Sequence, residues 1–294
     1  MIGLEHGKVK LVEHDPRWFA LADEHIRKIK NALGEIAIDI AHVGSTSVPG
    51  LCAKPIIDIV VGVRNFHDSI IRGLEQAGYL YRPAHESQTH MLFIDADGEI
   101  RRAHIHVVQH MSMEWRNYLN FRDYLKAFPQ VKRTYRDLKN TLAVKYPNDR
   151  EQYTLKKAEF ITYTLRKAMV WSFLGHYVCA QVDRPAGYLH RKGQKELLYP
   201  INYGFIPGVL GGDGEELDVY YLGTDKPLNS FSGRVIAIVH RKDDSEDKLV
   251  VAADDYQYTA EQICREIYFQ EKYYDTTVEL INGQKLHISN GVTK

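Results

Sequence analysis

The chain has 294 residues, 44% of them hydrophobic and 26% charged, and its 38 basic side chains cancel its 38 acidic ones. This composition excludes a low-complexity or disordered chain and suffices for one large domain or two modest ones. Balanced charge gives no reason to expect a nucleic-acid partner, and no apolar run approaches the ~18 residues of a membrane helix, so neither nucleic acid nor membrane is expected. At the N-terminus, Glu5, His6, Lys8 and Lys10 leave no apolar signal core. Cys52, Cys179 and Cys264 are far apart and odd in number, which fits a reducing compartment, so a cytoplasmic protein is expected.

Texture divides the chain into two expected domains, 1–172 and 176–294. The first alternates helix-period and strand-like segments and ends helix-rich; the second carries short apolar runs between glycine-rich turns, a β-dominated pattern. Asp15-Pro16 opens an amphipathic helix to about Leu33, with proline at an early position where its missing N–H costs nothing. Ile36 to Val43 is apolar and β-branched, which predicts a strand, and Gly44-Ser-Thr-Ser-Val-Pro-Gly50 predicts an exposed polar loop. Pro55 to Val63 is apolar except for Asp58, as in a strand covered on both faces. Asp68 to Ala77 predicts a helix ended by Gly78. Met91 to Asp95 and His104 to Val108 flank Asp95-Ala-Asp-Gly98 as a hairpin. Three helices follow, around 113–127, 130–145 and 149–169, the last with Asp149 and Gln152 at capping-box spacing.

An aspartate inside an apolar strand is costly unless hydrogen-bonded or metal-paired. His104 and His106 project from one face of their strand. With Asp58 they read either as a mixed nitrogen/oxygen metal site or as hairpin histidines with satisfied hydrogen bonds. Ser45 and Thr46 read either as turn residues or as a phosphate cradle of hydroxyl and backbone N–H groups, and Lys54 either as a solvated lysine or as an anion partner. The basic residues of the 120–170 helices read as a solvated face.

A Gly-Ser loop followed by an Asp-bearing strand resembles the nucleotidyltransferase superfamily. His42-Val-Gly-Ser-Thr-Ser-Val-Pro-Gly50, Lys54-Pro-Ile-Ile-Asp58, His104-x-His106-Val-Val and Phe121-Arg-Asp-Tyr-Leu125 resemble more specifically the GrpB family, from about Val9 to Thr164. The resemblance implies a nucleotidyltransferase-like mixed sheet with helices, and a site around Gly44, Ser45, Thr46, Lys54, Asp58, His104 and His106. The superfamily's second metal carboxylate would fall at residue 60, where this chain has Val60. A lone aspartate holds Mg²⁺ poorly, so two-metal nucleotidyl transfer is not implied.

In the second half, Tyr199-Pro-Ile-Asn-Tyr-Gly-Phe-Ile-Pro207 leads through a glycine-rich bend into Asp213, Glu215, Glu216 and Asp218, at the mouth of a strand starting near Leu217. Crowded carboxylates stay ionised together only around a cation, and hard oxygen ligands on a glycine-bent loop favour Mg²⁺. By themselves such residues more often make a solvated turn. The acidic run between His240 and Lys248 tips a hairpin joining Val235–Val239 to Leu249–Ala252. Thr259 and Gln262 form a capping box that starts a helix to about Tyr274.

Tyr199-Pro200-x-Asn202-Tyr203-Gly204 with its acidic turn resembles the family I soluble inorganic pyrophosphatases, in outline from Val178 to Leu280 and tightly from Tyr199 to Val219. The resemblance implies a pyrophosphatase-like β-barrel with a covering helix, so the whole chain reads as α+β. It implies Asp213 and Asp218 as main Mg²⁺ ligands, with Glu215 where the family usually has aspartate. Asp243 or Asp244, with one of Glu246 or Asp247, would complete a site for two or more ions. Catalytic roles fall to Asp218, Tyr203 and Lys248, and phosphate contacts to Arg184, Tyr203, Lys248 and Lys272. The family's Tyr-Lys pair becomes Lys272-Tyr273 here, and its hairpin bearing a lysine and an arginine is missing, with Arg184, His190, Arg191 and Lys192 as substitutes.

The function expected from this is Mg²⁺-dependent hydrolysis of pyrophosphate or a related phosphoanhydride by the second half, with an undefined reaction in the first. The small-molecule partner would be pyrophosphate or a nucleotide, and an oligomer is compatible with the sequence. The alternative is a nucleotide-binding or nucleotidyltransferase enzyme in which the second half is auxiliary; a third reading makes both halves binding modules.

Overall fold

A computed structural model describes residues 2–85, 87–193, 195–211, 214–244, 246–253 and 257–288. Asp213, an expected metal ligand, lies outside the described residues. The chain divides into two compact units, Met1–Ala168 and Met169–Lys294.

The first unit opens with β1 (Leu4–Glu5), α1 (Arg17–Leu33), β2 (Ala37–Val43) and β3 (Ile57–Val63). It continues through α2 (Asp68–Gln76), β4 (Leu80–Tyr81), β5 (His90–Asp97) and β6 (Ile100–Gln109) to the helices α3 (Met113–Ala127), α4 (Pro129–Lys145) and α5 (Arg150–Ser172). The sheet order is β2-β3-β6-β5-β4, with β1 also on β6; β3 and β6 run parallel, while β2–β3 and β5–β6 are antiparallel. As its apolar run requires, β3 is interior to the sheet and buried on both faces. Ile57, Ile59, Val61 and Val63 pack with Trp18, Ala22, Ile29 and Leu33, which recur at helical spacing on α1. On the other face Val60 packs with Val43, Val108 and Trp115 of α3. Asp58 shares that second face, because side chains alternate along a strand.

The Gly44–Gly50 segment corrects an expectation. It is not an exposed loop: Ser45–Ser47 form a 3₁₀ turn, and Thr46, Ser47 and Val48 are buried. Its hydroxyls turn inward and find partners there, Ser47 Oγ on the carbonyl of Gly44 at 2.6 Å and Thr46 Oγ1 on His42 Nε2 at 3.0 Å. Satisfied hydroxyls can be buried where unsatisfied ones could not.

The second unit comprises β7 (Tyr177–Arg184), β8 (Leu189–Lys192), β9 (Lys195–Leu198), β10 (Asn202–Leu210), β11 (Glu216–Leu222), β12 (Ser230–Arg241), β13 (Lys248–Ala252), α6 (Ala260–Glu271), β14 (Thr276–Leu280) and β15 (Lys285–Ile288). The order β13-β11-β10-β7-β12 closes on itself through the β12–β13 pair, making a five-stranded barrel, with β14 and β15 continuing from β12. One alternating set (Tyr203, Tyr220, Leu222, Val239, Val250) packs with Ile263 and Ile267 of α6, and the other (Leu217, Val219, Val235, Leu249, Val251) with Ile206 and Phe231. Both halves of the Thr259–Gln262 capping box form. The proposed substitutes His190, Arg191 and Lys192 lie on β8 of a short β8–β9 hairpin, where Arg191 pairs with Glu196 at 2.9 Å. No described helix is long and apolar enough to cross a membrane.

Closure of the barrel depends on Gly204. A Cβ there would lie 1.8 Å from the backbone oxygen of Gln181 on β7. Backbone cannot swing aside as a side-chain tip can. Gly204→Ala is therefore expected to destabilise this unit by more than about 3 kcal/mol, at the far end of single-substitution costs. Urea unfolding of the full chain measures it.

Candidate functional site

Adjacent strands deliver one row of polar side chains to the barrel face under α6. Arg184 on β7 pairs directly with Tyr203 on β10, Tyr203 with Tyr220 on β11, and Tyr220 with Val250 on β13. Two residues earlier on β11 and β13 stand Asp218 and Lys248, on the same face by strand alternation. The Tyr203 hydroxyl donates to Asp218, and the Lys248 ammonium contacts Tyr203 Oη at 2.6 Å, Glu246 at 2.7 Å and Asp218. Arg184 lies 5.0 Å over the Tyr203 ring and donates to Tyr199 Oη at 2.8 Å. Tyr203 and Lys248 are buried, while Asp218 remains partly open.

The two carboxylates separate electrostatically. Burial pushes Glu246 up to about 8, aided by its hydrogen bond with Asp218, against the pull of Lys248. Burial works the same way on Asp218, but the Lys248 charge and hydrogen bonds from Glu246, Lys248 and Tyr203 win and hold it below the usual carboxylate range. Near neutral pH one proton and one ammonium therefore sit between two carboxylates. A divalent cation fits this hard-oxygen pair by taking the place of the proton that Glu246 holds.

The rest of the expected acidic set is engaged elsewhere. Asp243 accepts from the backbone N–H of Asp275 at 2.9 Å, Asp244 pairs with Arg241 at 3.1 Å, and buried Asp247 pairs with His240 at 3.2 Å. Of the expected alternatives at this tip, Glu246 is the acid that meets Lys248 at 2.7 Å and hydrogen-bonds with Asp218, whereas Asp243, Asp244 and Asp247 have the partners just given. The reason is Arg241, which sequence reasoning passed over as part of a solvated tip. Arg241 is 3% exposed, forks onto Glu271 at 2.6 and 3.0 Å, and reaches Glu246 at 3.6 Å. The only signal for it in the sequence is its place as the last residue of a strand with alternating burial. Glu215 is exposed, and Lys272 caps the C-terminus of α6 with its ammonium 5.0 Å over the Tyr273 ring.

His240 bridges Asp247 and Glu279, the latter at 2.9 Å. Burial opposes its charged form, but the hydrogen bonds to and charges of both carboxylates raise its pKa. A raised folded-state value stabilises below the ordinary histidine value of about 6.5, and that stabilisation is lost as pH climbs through the folded value. Unfolding free energy of this unit should therefore fall as pH rises above about 6.5, and His240→Gln should flatten that slope in denaturant titrations at several pH values.

In the first unit, the parallel register places Asp58 opposite His104 and Val60 opposite His106. His104 Nδ1 is 3.1 Å and His106 Nε2 3.8 Å from Asp58 Oδ1. Burial alone would raise the Asp58 carboxyl, yet its hydrogen bonds with the two histidines hold it far below the usual range. Among the described residues, only Asp58, His104 and His106 place three ligand atoms within 4.8 Å of one another. His106 Nδ1 is met by Tyr118 Oη at 3.0 Å and His90 Nε2 at 3.1 Å, partners that sequence reasoning missed. Gly44, at φ +69°, presses on the carboxylate: a Cβ there would be 2.3 Å from Asp58 Oδ2. Ser45 Oγ accepts from the buried ammonium of Lys139 at 3.1 Å, and Lys54 lies 5.8 Å over the Tyr153 ring. His42, pushed down to about 4 by burial, is neutral and holds Thr46.

The family model of GrpB protein matches residues 8–167, and that of inorganic pyrophosphatase matches residues 180–274. The glutamate-rich protein GrpB of Alkalihalophilus pseudofirmus is 36% identical over 173 residues, spanning 57% of this chain and 99% of that protein. The crystal structure of conserved protein GrpB from Enterococcus faecalis superposes with a TM-score of 0.52 at 31% identity, covering 55% of this chain and 99% of that one. An inorganic pyrophosphatase from Ehrlichia chaffeensis overlaps 36% of this chain and 86% of its own, at 15% identity and a TM-score of 0.30.

Proposed function

The chain belongs to the GrpB family, to which a pyrophosphatase-type barrel is joined, and from that premise we propose that the barrel hydrolyses pyrophosphate or a related phosphoanhydride with Mg²⁺. The observation that carries the reading is the contact cluster of Tyr203, Asp218, Glu246 and Lys248 with Arg184 beside it. Asp218 and Glu246 would hold the ion, with exposed Glu215 three residues before Asp218; the described donor set suits one Mg²⁺ rather than several. The chemistry Mg²⁺ supplies in such a site is acidification of water and neutralisation of phosphate charge.

The chain's own groups do the rest. Lys248 and Arg184 present cations to phosphate oxygens, where charge grows as the bridging P–O bond breaks. Tyr203 fixes Lys248 and Asp218 through its hydroxyl. Ionised Asp218 takes the proton of the attacking water, and the leaving phosphate departs with the bridging oxygen.

Phosphate release from pyrophosphate by the purified full chain should require Mg²⁺, stop with a chelator and return on adding Mg²⁺ back. No release from pyrophosphate, tripolyphosphate or nucleoside triphosphates would end the reading.

A further inference from the structure

The first unit carries a cluster that the barrel chemistry leaves unused. His104 Nδ1 and His106 Nε2 converge on the same oxygen of Asp58, from residues two apart on one strand. His106 Nδ1 lies within hydrogen-bond reach of both Tyr118 Oη and His90 Nε2. Without a cation, ring protons link the histidines to Asp58; when His106 Nδ1 instead carries the proton and donates to Tyr118 or His90, Nε2 turns a lone pair toward the carboxylate. Electron pairs from an imidazole and a carboxylate do not face one another across 3.8 Å at low cost unless a cation lies between them. Histidine ligands characteristically use their other ring nitrogen in this way, which fixes tautomer and ring orientation.

The carboxylate is also positioned from behind. The Gly44 backbone leaves no room for a Cβ beside Asp58 Oδ2, so the turn fixes where the carboxylate can sit. Two imidazoles and one carboxylate are softer than the oxygen shell that Mg²⁺ prefers, and they match the borderline divalent transition metals. Three protein ligands leave further coordination positions for water or a ligand.

A second feature suggests what that ligand is. Lys139 donates to Ser45 Oγ, next in sequence to the Gly44 that abuts Asp58, and Lys54 and Lys157 share the Tyr153 ring at 5.8 and 4.3 Å. Burial lowers Lys54 and Lys139 to about 8, and burial with repulsion from the other two lowers Lys157 to about 7. Lys54 and Lys157 also feel the charge of Asp58. Crowded ammonium groups favour an oxyanion.

The geometry points to a single transition-metal centre of the zinc class at Asp58, His104 and His106, whose free coordination positions take a phosphate-type anion drawn in by Lys54, Lys139 and Lys157. It differs from the Mg²⁺ site of the barrel in place, ligand type and metal.

Co²⁺ titration tests it, because Co²⁺ replaces Zn²⁺ and reports its ligands by visible absorption. The full chain carrying Asp218→Asn, which disables the barrel's donor set, should bind one Co²⁺ with d–d bands characteristic of nitrogen ligation. An excess of Mg²⁺ should not displace it, and inorganic phosphate should shift the bands. His104→Ala and, as a variant that keeps ring-like bulk and polarity, His106→Asn should each weaken Co²⁺ binding by at least tenfold, with circular dichroism confirming the fold. Absence of Co²⁺ uptake, or uptake unchanged in both folded histidine variants, overturns the metal centre. Bands indifferent to phosphate overturn the anionic ligand. Pyrophosphate hydrolysis by the wild-type barrel is read separately, so failure of one site does not mimic failure of the other.

Discussion

Asp218→Asn is expected to lower Mg²⁺-dependent phosphate release from pyrophosphate by on the order of 10²–10³-fold, the scale of losing one electrostatic catalytic group. Asparagine keeps the shape and can still accept from Tyr203 and Lys248, so the row of contacts has no steric reason to collapse. What disappears is the negative charge that Lys248 and Tyr203 surround and that the proton of the attacking water requires. A second consequence separates this loss from misfolding. After burial, the hydrogen bond with Asp218 is the main influence that raises Glu246. With Asp218 neutral, Glu246 should ionise at lower pH, and the acidic limb of any residual activity should move in the same direction. Activity within about threefold of wild type would remove Asp218 from the mechanism.

Arg241→Ala should be the most destabilising charge deletion in the barrel. Glu271, fully buried, ends α6, where a negative charge already opposes the helix dipole. Arg241 forks onto it, Thr276 donates at 2.7 Å and Tyr220 donates as well. Removing the guanidinium strands that carboxylate in the interior, a loss of about 3–5 kcal/mol. For a unit of this size the melting temperature should fall by roughly 10 °C or more. The same side chain reaches Asp244 and Glu246, so the hairpin tip loses its anchor and hydrolysis should weaken too. Adding Glu271→Gln should recover part of the stability, since the stranded charge goes with it. A cost under about 1 kcal/mol, or no recovery in the double variant, would mean that Glu271 finds another partner.

Much of the organisation was legible in one dimension. The short apolar runs predict β3, β6 and β12, the helical spacings predict α1 and the α3–α5 series, and the capping box predicts the start of α6. These are local properties, set by which side chains alternate and which backbone groups need capping. The convergence of Asp58 with His104 and His106 was partly legible, because an aspartate in an apolar strand demands a partner. The acidic tip at 243–247 was not. Its composition resembles a solvated turn or a metal loop equally well, and only Arg241 and His240 decide which acids are already neutralised within the protein.

By itself, then, the order of residues pointed to two units and to their main strands and helices, and the family resemblance grouped Tyr203, Asp218 and Lys248. Tertiary structure decided the rest: that Glu246 rather than Asp243, Asp244 or Asp247 meets Lys248, that the Ser45 turn is buried, and that Tyr118 and His90 reach His106. The physical reason is range. Propensity and periodicity act over a few neighbouring residues, whereas the partner of a buried charge is chosen by strand register and by whichever opposite charge the packing brings within about 4 Å.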